Sequence, residues 1–154
     1  MFYPQLGGRK TFEYPGGRQL RINGILTREL LADPDLYGPD GEPCLVVMKD
    51  GSATDLTVGL YAGLESFVCD DLGVESIELG IYNYDKKKGL TFSEKGDSGA
   101  LVFDGEGRMV GQLHSGINKG GSTSNHVTYA TPAHFLIRCI KAKYPHADFN
   151  RVTW

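Results

Sequence analysis

The sequence predicts an all-β protein, a sandwich or a barrel, closed by one C-terminal helix. Three observations carry that expectation. Six short apolar or alternating runs follow one another between Cys44 and Thr131, at roughly ten-residue spacing. Glycine contributes 21 of the 154 residues, which supplies turns between short strands. The last long segment, Thr131–Tyr144, changes to helical period and sets Phe135, Leu136, Cys139 and Ile140 on one face.

Each element has a local reason. Leu20–Leu26 reads as a short strand, and Thr27 caps a single helical turn over Arg28–Ala32 that stops before Pro34. Asp33–Pro43 is loop, with three prolines and two glycines. It starts like a calcium loop at Asp33 and Asp35. However, Tyr37 stands where an oxygen ligand is wanted and Cys44 where the bidentate glutamate belongs, so a solvated turn is the reading. Cys44–Met48 is a buried-strand run ended by Asp50-Gly51. Thr54–Tyr61 alternates and ends near Gly63. Val74–Tyr84 is a longer strand with Ile77, Leu79 and Ile81 on one face. Ala100–Phe103 and Met109–Leu113 flank the hairpin turn Asp104–Gly107, and His126–Thr131 is the sixth strand. In the helix, Thr131 can cap, Pro132 suits the first helical position, and Arg138, Lys141 and Lys143 complement the C-terminal dipole.

The totals exclude several functions. Sixteen basic and 19 acidic residues leave a net charge of −3, which gives no electrostatic case for nucleic acid. The Lys86–Lys88 hairpin tip beside Tyr82 and Tyr84 reads as a solvated turn, and Gly120–Asn125 as a loop mobile by composition. No apolar run approaches the roughly 20 residues of a membrane helix, and Met1–Gln5 lacks the order of a signal peptide. Cys44, Cys69 and Cys139 are three, widely spaced, with no Cys-x-x-Cys. That set argues against a disulfide framework and a zinc site; the cysteines read as buried reduced thiols, which points to an intracellular, cytoplasmic setting. Nothing calls for a cofactor or a metal.

The chemistry concentrates in Phe92–Phe103. A serine, Ser98, sits in a Gly96-Asp97-Ser98-Gly99 turn, where glycines allow unusual backbone and close approach of a substrate carbonyl. The N–H groups of Gly96 and Ser98 can converge on a developing oxyanion beside the Ser98 nucleophile.

These residues resemble a known family. The Gly96–Gly99 turn, then Gly105–Gly116, then Tyr129–Pro132 with its helix, look like the trypsin-like (chymotrypsin-fold) serine peptidases. Lys49–Gly59 looks like the opening hairpin of that family's second barrel. The match runs over about residues 44–145 and is closest in style to disulfide-free microbial and fungal members.

The resemblance implies a six-stranded antiparallel Greek-key barrel, one half of the family's two-barrel fold, over residues 44–154. Residues 1–43 would be an extension resembling the inter-barrel linker. It implies Ser98 as nucleophile, Gly96 and Ser98 as oxyanion hole, and a buried cationic partner for Asp97 that holds the loop in shape. His114, Ser115 and Gly116 would form the strand that pairs with a polypeptide substrate. Phe92 would begin the floor of the specificity pocket, arguing against selection of Arg or Lys.

One departure is large. The family's histidine and aspartate precede the serine, whereas His114, His126, His134 and His146 all follow Ser98. Forty-three residues are too few for a first barrel with strands of about five residues. Three readings stay open. The chain is a peptidase half that needs a missing N-terminal barrel to supply the base. Alternatively, it is an inactive half-barrel that binds a protein partner, or dimerises, through its exposed face. Finally, it is a self-sufficient hydrolase with His114 as the base. His126, His134 and His146 read as surface or packing residues.

Overall fold

The apolar run after Cys44 becomes β2 (Leu45–Gly51), preceded by a short β1 (Gly24–Ile25) and α1 (Arg28–Ala32). The structure, a computed structural model, describes residues 22–35, 43–69, 73–84, 91–118 and 126–149. After β2 come β3 (Asp55–Cys69), β4 (Glu75–Asn83), β5 (Leu101–Asp104), β6 (Arg108–Asn118), β7 (His126–Pro132) and α2 (Ala133–Lys143). Strands β2, β3, β4, β7, β6 and β5 pair antiparallel in that order, and β5 pairs back onto β2. The six runs expected from the sequence therefore close into a six-stranded antiparallel barrel, and closure removes the open edges of the sheet.

Alternation along each strand fills the interior. Leu45 and Val47 from β2, Leu79 and Ile81 from β4, Val102 from β5, Val110 and Leu113 from β6, and Ala130 from β7 form one buried cluster. Leu26 and Leu31, from the segment around α1, join the same core. That segment is tied down as well as packed. β1 runs parallel to the start of β6, which β7 does not reach, with Gly24 opposite Arg108. Thr27 caps α1 by accepting from the Leu30 N–H at 3.3 Å. Arg108 grips Asp35 with two bonds of 3.0 Å and donates through Nε to the buried Asp104 carboxylate. Asp104 also orders the β5–β6 turn, accepting from the N–H groups of Glu106 and Arg108.

Several expectations need correcting. Of the expected strand Leu20–Leu26, Gly24–Ile25 is the paired part among the described residues. β3 runs past Gly63 to Cys69 because a bulge between Tyr61 and Glu65 absorbs the glycine without ending the pairing with β4. Ile77 shares a face with Leu79 and Ile81 by alternation but does not join the core. β7 pairs with β4 only from Leu79 onward, so the outer part of the β3–β4 hairpin overhangs the barrel and Ile77 is exposed.

α2 also differs. Thr131 does not cap it, because β7 runs straight into the helix and Thr131 is still paired with Gln112; Pro132 is the N-cap. The helix docks through Ala133 and Ile137, one turn apart, which leaves Phe135, Cys139 and Ile140 exposed. Of the cysteines Cys44 is buried. Cys69, on the overhanging hairpin, and Cys139, on the outer face of α2, are exposed, against the expectation of buried thiols. The Lys86–Lys88 tip and the Gly120–Asn125 loop lie outside the described residues.

Candidate active site

Residues 91–100 connect the end of β4 to β5, and a buried ion pair sets their shape. Asp97, 1% exposed, accepts from the main-chain N–H of Ala53 at 2.8 Å, of Thr54 at 3.2 Å and of Glu94 at 3.0 Å, and from the Thr54 hydroxyl at 2.7 Å. Lys49, fully buried on β2, places its ammonium 3.0 Å from Asp97 Oδ2. It also donates to the Thr54 hydroxyl and, at 3.1 Å, to the Asp55 carbonyl. Both charges thus have several partners, as burial requires. Burial on its own pushes the Asp97 carboxyl up. The bonds from Thr54, Glu94, Ala53 and Lys49 outweigh it and hold the group well below the ordinary carboxylate range. Residues 49–55 therefore form a clamp around the base of the Gly96–Gly99 turn, completed by the Ser52 hydroxyl, which donates to the Gly96 carbonyl at 2.6 Å.

The turn has the backbone its glycines permit. Gly96 has φ +115° and Gly99 φ +93°, both in the region that a Cβ disfavours. The turn's own main-chain bonds use the N–H groups of Asp97, Gly99 and Ala100 and leave those of Gly96 and Ser98 out. Ser98 is exposed at the turn's tip, and its hydroxyl donates to the main-chain oxygen of His114 at 3.1 Å.

His114 lies on β6, where the ladder to β7 skips a residue. Leu113 faces Ala130 and Ser115 faces Tyr129, so His114 is the extra residue of a bulge. Its exposed imidazole bonds through Nδ1 to the Ser115 hydroxyl at 2.8 Å. Ser98, His114, Ser115 and Gly116 line one cleft of about 500 Å³, together with Thr91, Ser93, Glu94, Lys95, Leu113 and His126.

Phe92 does not belong to that cleft. It is 1% exposed within the barrel core, and its main chain is pinned there. Its N–H donates to Asn83 Oδ1 at 2.8 Å, and its carbonyl accepts from the Thr57 hydroxyl at 2.6 Å. The neighbouring Ser93 faces the cleft instead. Its hydroxyl lies 2.7 Å from Thr128 Oγ1 and 3.3 Å from His126 Nε2, and His126 Nε2 is 3.1 Å from Thr128 Oγ1. Burial lowers the His126 pKa, with the Glu94 charge opposing it. Of these three the sequence expectation covers only His126, as a surface or packing residue. The signal was present in the polar residues of β7, but only the closed barrel shows which of them meet the residue after Phe92.

All four histidines of the sequence are among the described residues. None meets the Ser98 hydroxyl through an imidazole nitrogen there; its partner is the main chain of His114. His134 lies on α2, lining a different groove, and His146 follows the helix. Among the described residues no group of three or more His, Cys, Asp or Glu is placed to hold a metal ion.

The solved structure of chymotrypsin from Cellulomonas bogoriensis superposes with a TM-score of 0.53 at 20% identity, over 90% of this chain. The fold is chymotrypsin-like. The chain spans 61% of the length of that chymotrypsin. No family model matches the sequence, and no curated protein is recognisably similar to it.

Proposed function

We propose that this chain carries the nucleophile half of a trypsin-like serine peptidase site, with Ser98 as nucleophile and the N–H groups of Gly96 and Ser98 as oxyanion hole. The base and its orienting carboxylate would come from a polypeptide outside these 154 residues. The observation that carries the reading is the buried Lys49–Asp97 pair, which fixes a turn presenting Ser98 beside two uncommitted N–H groups. A clamp with both charges fully buried is a costly way to shape a surface loop unless the shape itself matters. The His114–Gly116 strand lines the same cleft and would run beside a bound peptide. Without a base the serine is a weak nucleophile, and the hole and binding alone leave about 10³–10⁴-fold over water. The chain alone is then inactive as a peptidase.

The test is phosphonylation by an alkyl fluorophosphonate, with millimolar imidazole replacing the base, followed by peptide mapping. The label is expected on Ser98 and absent in Ser98→Ala. It should fall at least about tenfold in Gly96→Ala, because an alanine is strained at φ +115° and the donor moves. Label on another residue, or none, contradicts the reading.

A second reading has its own observation. Phe67 and Ile77 face each other on the overhanging hairpin and are 67% and 56% exposed, with Leu64, Val74 and Phe135 exposed as well. Such a patch suits a protein partner, whether a first barrel or a second copy of this chain. Sedimentation velocity of wild type against Phe67→Ser/Ile77→Ser tests the self-association arm. A monomer at all concentrations removes the homodimer.

A further inference from the structure

We infer that Ser93, His126 and Thr128 form the specificity floor of the cleft beside Ser98, and that this floor selects a substrate side chain ending in a carboxylate. The inference rests on the peptidase reading of that cleft. Its ground is the chemistry of the wall. Ser93 and His126 line the cleft while being 3% and 8% exposed, and Thr128 stands behind them, fully buried. The three form a closed triangle of contacts between 2.7 and 3.3 Å.

The imidazole is fitted to its place. A Cβ on Gly116 would stand 2.7 Å from His126 Cε1, so the glycine on β6 makes room for the ring. The ring meets both hydroxyls through Nε2, and the two groups of the triangle that line the cleft with Ser98, the Ser93 hydroxyl and the imidazole, give a ligand two donors after small rotations, with Thr128 behind them.

The charges around the triangle decide what those donors meet. From the loop after β4 come Glu94 and Lys95, and from β6 comes His114. The Glu94 carboxylate is exposed at the rim and accepts from the Thr91 hydroxyl at 3.3 Å, and among the described residues no buried carboxylate stands in the floor to receive a lysine or arginine. An apolar side chain would cover the buried polar groups and offer them nothing. A carboxylate accepts from the Ser93 hydroxyl and from the imidazole. As a buried anion it also favours protonation of His126, which burial otherwise keeps towards neutral. Binding of such a side chain should therefore take up a proton.

The experiment is titration of the full chain with N-acetyl-Ala-Ala-X-amide peptides, X being Glu, Gln, Leu or Lys. It is read by calorimetry and by the His126 side-chain NMR signals. The Glu peptide should bind at least about tenfold tighter than the Leu and Lys peptides and shift the His126 resonances. Its affinity should rise as pH falls from 8 to 6, with the Gln peptide flat over that range. Ser93→Ala, Thr128→Val and His126→Gln should each reduce the Glu preference over Leu to below about threefold. Ser93→Ala, which removes one buried hydroxyl, is the variant to rely on if the ring substitution does not fold. Equal binding of Glu and Gln, preference for Leu or Lys, or no shift of His126 by any peptide overturns the inference. Labelling of Ser98 by fluorophosphonate beside such a result discards the carboxylate floor and keeps the nucleophile. Loss of labelling discards the nucleophile itself.

Discussion

The Ser98 hydroxyl donates to the main-chain oxygen of His114 at 3.1 Å, and the bulge at His114 is what frees that oxygen. In an unbroken ladder a residue of β6 directs its main-chain groups at its neighbours in the sheet. With Leu113 opposite Ala130 and Ser115 opposite Tyr129, His114 has no residue across from it on β7. The proton of the serine therefore rests on a carbonyl, which can hold it but cannot take it away. A base would have to turn the hydroxyl out of this bond.

Removing one charge of the Lys49–Asp97 pair should be costly. Asp97→Asn or Lys49→Met is expected to destabilise the fold by about 3–5 kcal/mol, because the remaining charge is left buried and uncompensated. Urea denaturation followed by circular dichroism measures it. A loss below about 1 kcal/mol would mean that the turn is not held by this pair.

The same pair gives the fold an acid limit. The folded-state pKa of Asp97 lies below its unfolded value, so its contribution to stability is present above the unfolded value. It is lost as pH falls toward the folded one. Stability of the wild type should decline from about pH 5 downward. The decline should be shallower in Asp97→Asn, compared by midpoint of urea unfolding at pH 7, 5 and 3.

A methyl group at position 116 should displace His126. Gly116→Ala brings a Cβ to 2.7 Å from the ring, which must move or force the strands apart, at about 1–3 kcal/mol. The His126 NMR signals should shift, while those of His134 and His146, which do not line the cleft, stay in place. An unchanged His126 would show that the ring does not sit against β6.

Arg108→Ala should loosen the segment before the barrel more than the barrel itself. Arg108 joins Asp35 to the β5–β6 turn, and its loss leaves Asp35 without that clamp and the buried Asp104 with its main-chain donors alone. Hydrogen exchange should quicken over residues 22–33 while the β2–β3 ladder keeps its protection. Equal protection of residues 22–33 in the wild type and in Arg108→Ala would contradict the assigned role of Arg108.

The barrel was legible because its strands carry a two-residue period and the residues that break it are glycines, so Leu45, Val47, Leu79 and Ile81 announce one interior. The helix was legible from its period but not its docking face: Phe135 and Ile140 are as apolar as Ile137, and only the position of β6 and β7 chooses among them. The site divides in the same way. The turn around Ser98 is local and could be read from four residues. The partner of Asp97 is Lys49, 48 positions away and buried through a register that no local pattern states. Phe92 and Ser93 differ by one residue. Which of them turns to the cleft depends on Asn83 and Thr57 fixing the chain on either side of Phe92. His126 and Thr128 came to the cleft by barrel closure, which pairs β7 with both β4 and β6.

On the proposed function, Ser98 and the N–H groups of Gly96 and Ser98 act together with a base supplied by another polypeptide. The rate of Ser98 phosphonylation as a function of imidazole concentration tests it most directly. The rate is expected to climb with imidazole concentration and to be left unchanged by His114→Ala. A rate independent of imidazole and abolished by His114→Ala would contradict it, because the chain would then carry its own base.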